Sequence, residues 1–455
     1  MQRINIRDFS CIKKATFEIS PLTILIGPQA SGKSVITKLL YFCNDILLSQ
    51  YDWAEDGDGP LKFAKHLEGK FKDWFPVSAW GQGAFEISFI VSDEIEYSFS
   101  RRKSARKVYD EVDVKLSSGF QKQYQELVKR YNAAKKSGPT DDDDDGVFRN
   151  FDKAWRVRGT SLRSLIERLG LEFVSSQTYI PAGRSFFTNL GKAVAMLEHG
   201  NQLDEITREF GRLFTSLLDG DRFYYGEKPT QKGKDFLAHQ KNLFENLFEG
   251  SVRITHNDRH VDTRDGRRIP FSILSSGQQE LLPLLLILSH AARQQANSQR
   301  NSAEMIYVEE PEAHLFPSAQ GALIEYIASM SAFFGKRMQF LITTHSPYVI
   351  AKFNNLIKAH TVSMLSGGKL EKRVSQIIDR RSWLAPASVG AYALDDGVLR
   401  SVKGPGGLID GEYLDAISED LGDRFLALLE VETEYDPKPV LPTEQQIKNE
   451  DRGKR

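Results

Sequence analysis

Only two cysteines, Cys11 and Cys43, occur in 455 residues, too few for a disulfide framework and suited to a reducing compartment. Long apolar runs are missing: the longest, 281–288, is interrupted by Pro283 and falls far short of a membrane span. Net charge is almost nil, with 60 Lys+Arg against 61 Asp+Glu, which argues against a dedicated electrostatic binder of nucleic acid. A local basic groove would not show in that total. The opening segment MQRINIRDFS is charged and lacks the apolar stretch of a signal peptide. There is no internal repeat and no sustained heptad array, so a long coiled coil is excluded. These absences together predict a soluble cytoplasmic protein with no membrane partner. Core material is plentiful: 40% of residues are hydrophobic and 11% aromatic, which rules out global disorder.

Short strands around Ile4, Ile6 and Phe17, Ile19 precede a third, 22–26, apolar enough to be buried on both faces. A helix is expected over 31–48 and a hairpin over 85–91 and 95–99. Residues 101–170, rich in Lys, Arg and Gln, predict a helical insertion tipped by the aspartate run 141–145. That run lacks the alternating ligands and glycine of a calcium loop and reads as a solvated loop. Strand character returns at 172–180, and a second helical insertion is expected over 186–248. A hairpin (251–273), a helix (276–294), a strand (305–309), a helix (318–334), a strand (338–343) and a helix (346–354) follow. Helices alternating with apolar strands predict a layered α/β core. The expected divisions are a head N-terminal lobe (1–100), the two insertions (101–170 and 186–248), a head strand (171–185), a C-terminal lobe (249–366), and an extension with a polar tail (367–455).

Four segments carry chemistry. Gly27-Pro28-Gln29-Ala30-Ser31-Gly32-Lys33-Ser34 fits G-x-x-x-x-G-K-[ST] between a buried strand and a helix. Such a loop turns backbone N–H groups toward phosphate, and the helix N-terminus adds its partial positive charge. Lys33 is expected at the β- and γ-phosphates and Ser34 on Mg²⁺. A second strand delivers Glu309-Glu310-Pro311-Glu312 at its end. By position Glu309 takes the metal role and Glu310 activates water. Leu274-Ser275-Ser276-Gly277-Gln278-Gln279 precedes an apolar helix and offers another anion site. His345, in Thr343-Thr344-His345-Ser346-Pro347, is placed to donate to the γ-phosphate.

In this order the four motifs resemble the ABC-type ATPase head. The resemblance implies an ABC/SMC-like P-loop fold, α/β, with ATP sandwiched between two copies. It also implies that Ser275, Ser276, Gly277 and Gln278 complete the opposing subunit's site. Some 240 positions separate Ser34 from Leu274, far more than in transporter ATPases. Together with Ile24-Leu25-Ile26-Gly27-Pro28, Tyr179-Ile180-Pro181-Ala182-Gly183-Arg184, Glu309-Glu310-Pro311-Glu312-Ala313-His314-Leu315 and Thr344-His345-Ser346-Pro347, that spacing resembles the OLD-type and RecF-like AAA ATPases of bacterial defence. The likeness covers 1–100 and 172–366. Ser276 replaces the usual transporter Gly and Glu309 the usual Asp. Both occur within the OLD-type branch, and the longer Glu309 is expected to slow turnover.

The resemblance extends to ATPase subunits of PARIS-type systems. It then implies a homo-oligomer larger than a dimer that holds a separate effector nuclease until a viral trigger protein is recognised. Septu- and retron-type subunits are near neighbours. An alternative is a DNA-repair clamp, for which Arg101, Arg102, Lys103, Arg106 and Lys107 are the candidate basic stretch; a housekeeping ATPase is a third. No fused TOPRIM nuclease is legible. The acids Asp410, Glu412, Asp415, Glu419, Asp420 and Asp423 read as the solvated face of an amphipathic helix over 412–430. His256 and His260 flank a turn without the further ligands zinc requires. Arg184 carries two readings, a contact to nucleotide or partner head and a structural salt bridge. Gln82 is the candidate for the glutamine bridging metal and water.

Overall fold

The computed structural model describes residues 2–104, 107–136, 146–190, 203–219, 229–255, 258–298, 301–411 and 426–429. The chain divides into a large unit, 1–409, and a second, 410–455, in which 426–429 form a helical turn. The aspartate run 141–145, His256, and most of the expected acidic helix and tail lie outside the described residues.

The strands are β1 (Arg3–Phe9), β2 (Ile12–Glu18), β3 (Leu22–Ile26), β4 (Glu86–Ile90), β5 (Glu96–Lys103), β6 (Val108–Leu116), β7 (Val174–Ile180), β8 (Gly250–Ile254), β9 (Arg259–Thr263), β10 (Arg268–Pro270), β11 (Ala303–Glu309), β12 (Met338–Thr344), β13 (Val389–Asp395) and β14 (Val398–Ser401). Among the described residues, eleven of them form one sheet in the order β6-β5-β4-β1-β2-β14-β13-β3-β12-β11-β7. From β13 to β7 the neighbours are parallel. The half from β6 to β2 is antiparallel. In β3, β11 and β12 every residue is buried, as strands covered on both faces require. Because β13, β3, β12 and β11 point the same way, their C-terminal ends share one sheet edge, where ligands of such sheets bind.

Helix α1 (Lys33–Glu55) follows β3 and buries Ile36, Leu39, Leu40, Phe42, Cys43, Ile46 and Leu47. A polar thread runs through this core. Asn44 Nδ2 donates to Tyr307 Oη at 3.1 Å, and Tyr307 Oη donates to Gln177 Oε1 at 2.8 Å, tying α1 to β11 and β7. Helix α2 (Pro60–Trp74), unforeseen in the sequence, places Phe71 against Phe9, Phe42 and Phe99. Next come α3 (Ser118–Lys136), α4 (Gly146–Leu169), α5 (Ser185–Leu190), α6 (Glu205–Leu218) and α7 (Gln231–Phe248). The order closes with α8 (Ser276–Asn297), α9 (Pro317–Phe334), α10 (Pro347–Met364) and α11 (Glu371–Ser375).

Three expectations change. Residues 101–170 are not helical throughout: β5 runs to Lys103 and β6 occupies Val108–Leu116 before helix begins at Ser118. The charges taken for helix pair across the strands, Arg101 with Asp110 at 2.6 Å and Arg102 with Asp113 and Glu111. The expected hairpin at 251–273 is a three-stranded sheet, β10-β9-β8. Most consequential, 367–455 is not wholly an extension, because β13 and β14 insert between β3 and β2 in the main sheet. Val389-Gly390-Ala391-Tyr392-Ala393 looks too poor in bulk for a central strand, yet small residues are what the site admits: a Cβ on Gly390 would lie 2.9 Å from Ser20 Oγ.

The buried polar residue Glu304 opens the β11 ladder beside β12, opposite Met338. Burial pushes its carboxyl up to about 8. Unfolded, the group ionises near roughly 4.3, so stability is lost as pH rises between those values. Glu304→Gln should therefore raise the melting temperature by several degrees at pH 8.5, with the gain shrinking toward pH 5. Equal melting temperatures of both proteins at pH 8.5 would remove this account of Glu304.

Candidate active site

The phosphate loop leaves β3 at Gly27 and enters α1 at Lys33. Its two outer glycines answer to specific neighbours. A Cβ on Gly27 would sit 2.7 Å from the Leu394 carbonyl oxygen on β13, and one on Gly32 would sit 2.6 Å from Cys11 Sγ. Gly32 also has φ +107°, and Ala30 shares the left-handed region at +62°. Lys33 is buried and folds back on its own loop, donating from Nζ to the Gly27 and Pro28 carbonyls at 2.8 Å each. Burial lowers its pKa, opposed by the charges of Glu310, Glu312 and Glu309.

Those acids leave β11 beside the end of β12. Glu309 is buried, and its Oε1 has no hydrogen-bond partner. An ionised carboxylate left so is costly unless a cation meets it. Its hard oxygen and the Ser34 hydroxyl at the start of α1 are donors suited to Mg²⁺. Glu310 sits at φ +41°, its N–H donating to the Thr343 carbonyl at 3.0 Å. Its Oε1 lies 3.6 Å from His345 Nδ1. Glu312, unassigned in the sequence, is buried and accepts from Thr344 Oγ1 at 2.6 Å and from the His345 N–H at 2.9 Å. It thereby fixes the backbone that presents His345, whose imidazole is half exposed. Only its place two residues after Glu310 signalled a role.

Ser275 caps α8: the Gln278 N–H donates to its Oγ at 3.4 Å, and its own N–H donates to Gln278 Oε1 at 3.2 Å. Gly277 packs beside the acidic turn, where a Cβ would lie 3.2 Å from the His314 carbonyl oxygen. Ser275 and Ser276 are exposed. Among the described residues, no hydrogen bond joins 275–278 to 27–34 of the same chain. Lys33, Glu309, Glu310 and His345 are thus gathered at one sheet edge, while the segment 275–278, here called the signature, presents Ser275 and Ser276 to solvent.

Arg184 is fully buried and its guanidinium meets backbone carbonyls, so the sequence reading as a nucleotide contact is set aside. Gln82 is exposed, in a loop beside Ser10, whose N–H donates to the Trp80 carbonyl at 3.1 Å. His260 lies between Asp258 and Asp262, at 3.0 and 3.1 Å, and no metal-holding cluster of His, Cys, Asp or Glu occurs among the described residues. No described helix is long and apolar enough to cross a membrane.

A family profile described as "AAA domain, putative AbiEii toxin, Type IV TA system" (AAA_21) matches residues 22–351, from β3 through the start of α10. The chain belongs to this family. The match spans the phosphate loop, the 274–279 segment, the acidic end of β11 and His345, and it gives the mixed α/β sheet the character of an AAA-type P-loop ATPase domain. No curated protein matches the sequence. Among solved structures, the chain is similar to an SMC head domain from Thermotoga maritima, 12% identical, covering 88% of this chain and 97% of that one at TM-score 0.36. An SMC head bound to the C-winged helix domain of ScpA gives 12%, 88%, 96% and 0.39. One from Pyrococcus furiosus, with an extended coiled coil and bound to the C-terminal domain of ScpA, gives 13%, 88%, 96% and 0.35. Likenesses this distant carry no functional argument.

Proposed function

We propose that the chain hydrolyses ATP between two copies of itself and acts as the sensor and scaffold subunit of an anti-phage defence system. In this reading a homo-oligomer sequesters a separate toxic effector, a TOPRIM or OLD-type nuclease, and releases it when a viral trigger protein is recognised. The family's description, naming a toxin of a toxin–antitoxin system, supports a two-component setting.

The observation that carries the shared site is the exposure of the 275–276 segment at the start of α8, which among the described residues makes no hydrogen bond to the 27–34 loop of its own chain. Ser275 and Ser276 face solvent, and large apolar side chains beside three motifs do too: Ile273, Phe316 and Tyr348 are 69, 76 and 55% exposed. A second copy laid across these motifs would bring its signature to the phosphate loop and cover them. In the closed state Lys33 exchanges the Gly27 and Pro28 carbonyls for β- and γ-phosphate oxygens, joined by N–H groups of the loop from Pro28's neighbours Gln29, Ala30 and Ser31. Ser34 and Glu309 would hold Mg²⁺, which neutralises phosphate charge. Glu310 takes the proton of the attacking water, and His345 donates to the γ-phosphate.

The test is native mass spectrometry of tagged Glu310→Gln protein drawn from its own host with ATP present. A large homo-oligomer carrying a second protein of nuclease size is the expected result. A bare dimer with co-purifying DNA would overturn sequestration in favour of a repair clamp. The ion pairs of Arg101 and Arg102 already weigh against that outcome, because they occupy charges such a clamp would need.

A further inference from the structure

We infer that Arg184 is a positioning residue that couples the signature helix α8 to the catalytic turn of the same chain, so that nucleotide engaged at one site adjusts the other. The inference rests on the ATPase reading above. Arg184 Nε donates to the Glu280 carbonyl at 3.1 Å and lies 3.5 Å from Glu280 Oε2. Nη1 donates to the carbonyls of Pro181 at 3.1 Å and Glu309 at 3.0 Å. Nη2 donates to those of Glu310 at 3.2 Å and Pro311 at 3.3 Å. A guanidinium has five N–H donors, and these five carbonyls take them all. Nothing remains for a phosphate.

The choice of carbonyls is what gives the clamp a role beyond packing. Three belong to the consecutive residues Glu309, Glu310 and Pro311, and the middle one holds a positive φ that persists only where its surroundings enforce it. The other end grips Glu280, two residues beyond Gln278 on α8. Glu280 is itself buried, and its Oε2 has no hydrogen bond, so its charge is directed to Arg184. Side chains of α5 reinforce the grip: Thr188 Oγ1 donates to the Gln279 carbonyl at 2.8 Å, and Asn189 Nδ2 to Gln279 Oε1 at 3.1 Å. Burial of the cation disfavours its charged form, and Glu280 offsets that.

The geometry has a directional consequence. When ATP held by a partner docks on Ser275 and Gly277, any shift of α8 is passed through one planar, fully bonded group to the carbonyls on either side of Glu310. The chain's own water-activating carboxylate then responds to the partner's nucleotide. Lysine at 184 keeps the charge and the Glu280 pair but cannot span five acceptors.

Arg184→Lys should fold, bind a fluorescent ATP analogue within about threefold of wild type, lose roughly 10–100-fold in kcat, and show a Hill coefficient for ATP reduced to 1 from a wild-type value above it. A lowered melting temperature with kcat and Hill coefficient unchanged would make Arg184 a packing residue and overturn the inference. A large loss of ATP affinity with kcat retained would also overturn it, because Arg184 would then serve nucleotide binding. Should Arg184→Lys not fold, Glu280→Gln provides the second test: it leaves all five carbonyls in place and should show the same split in milder form, while wild-type kcat and Hill coefficient in it would reject the coupling. Wild-type protein with no ATPase activity would instead remove the functional reading, and the coupling with it, before any variant was compared.

Discussion

Glu310→Gln should lose ATP turnover by about 10²–10⁴-fold, the range for removing a general base, while nucleotide affinity stays within a few-fold of wild type. The expectation follows from position. Glu310 is the only one of the three acids whose carboxylate combines partial exposure with proximity to His345, because Glu309 is buried at the strand end and Glu312 is occupied by Thr344 and His345. Glutamine is nearly isosteric and keeps the N–H contact to the Thr343 carbonyl, so the turn is expected to survive. Phosphate release and analogue titration on the same preparation check it. Wild-type turnover in this variant would show the base assignment to be wrong.

Lys33→Ala carries the second large effect. Two charge-assisted contacts to phosphate are lost, at about 1.5–3 kcal/mol for each hydrogen bond to a charged group, so affinity should fall roughly 10²-fold or more. Stability without nucleotide should change little. Burying the Lys33 ammonium costs desolvation, and that cost offsets its two hydrogen bonds to the buried Gly27 carbonyl and the part-buried Pro28 carbonyl. The readout is thermal denaturation with and without Mg-ATP: the wild-type rise in melting temperature, which follows from binding to the folded state, should vanish in the variant. A preserved rise would mean that nucleotide binds without Lys33.

What could be read from the sequence was what the chain writes locally. Gly27 through Ser34 is contiguous, Leu22–Ile26 is apolar without interruption, and Glu309-Glu310 ends a buried run; each needs only its neighbours to be understood. What escaped reading depends on distant segments. Leu394, on β13, forms the wall against Gly27, and the strand bearing it has the small residues of a loop because it lies between covered faces. Cys11 touches Gly32 only because the β1–β2 turn folds over the loop. Charged β6 resembles helix until Arg101 and Arg102 are seen opposite its acids. Arg184 stands out beside Pro181 in the sequence, but the carbonyls it bonds converge from β7's end, β11's turn and α8, which spacing along the chain does not reveal.

The central claim, a site built from two copies, is tested most directly by mixing two inactive variants, Lys33→Ala and Ser275→Arg. A head-to-head heterodimer of the two combines both lesions in one site and leaves the other with an intact loop and an intact signature. The account predicts negligible ATPase activity from either variant alone and activity well above their sum in the mixture. A mixture that stays inactive although mass spectrometry finds the heterodimer, or Ser275→Arg protein that hydrolyses ATP at the wild-type rate alone, would contradict it.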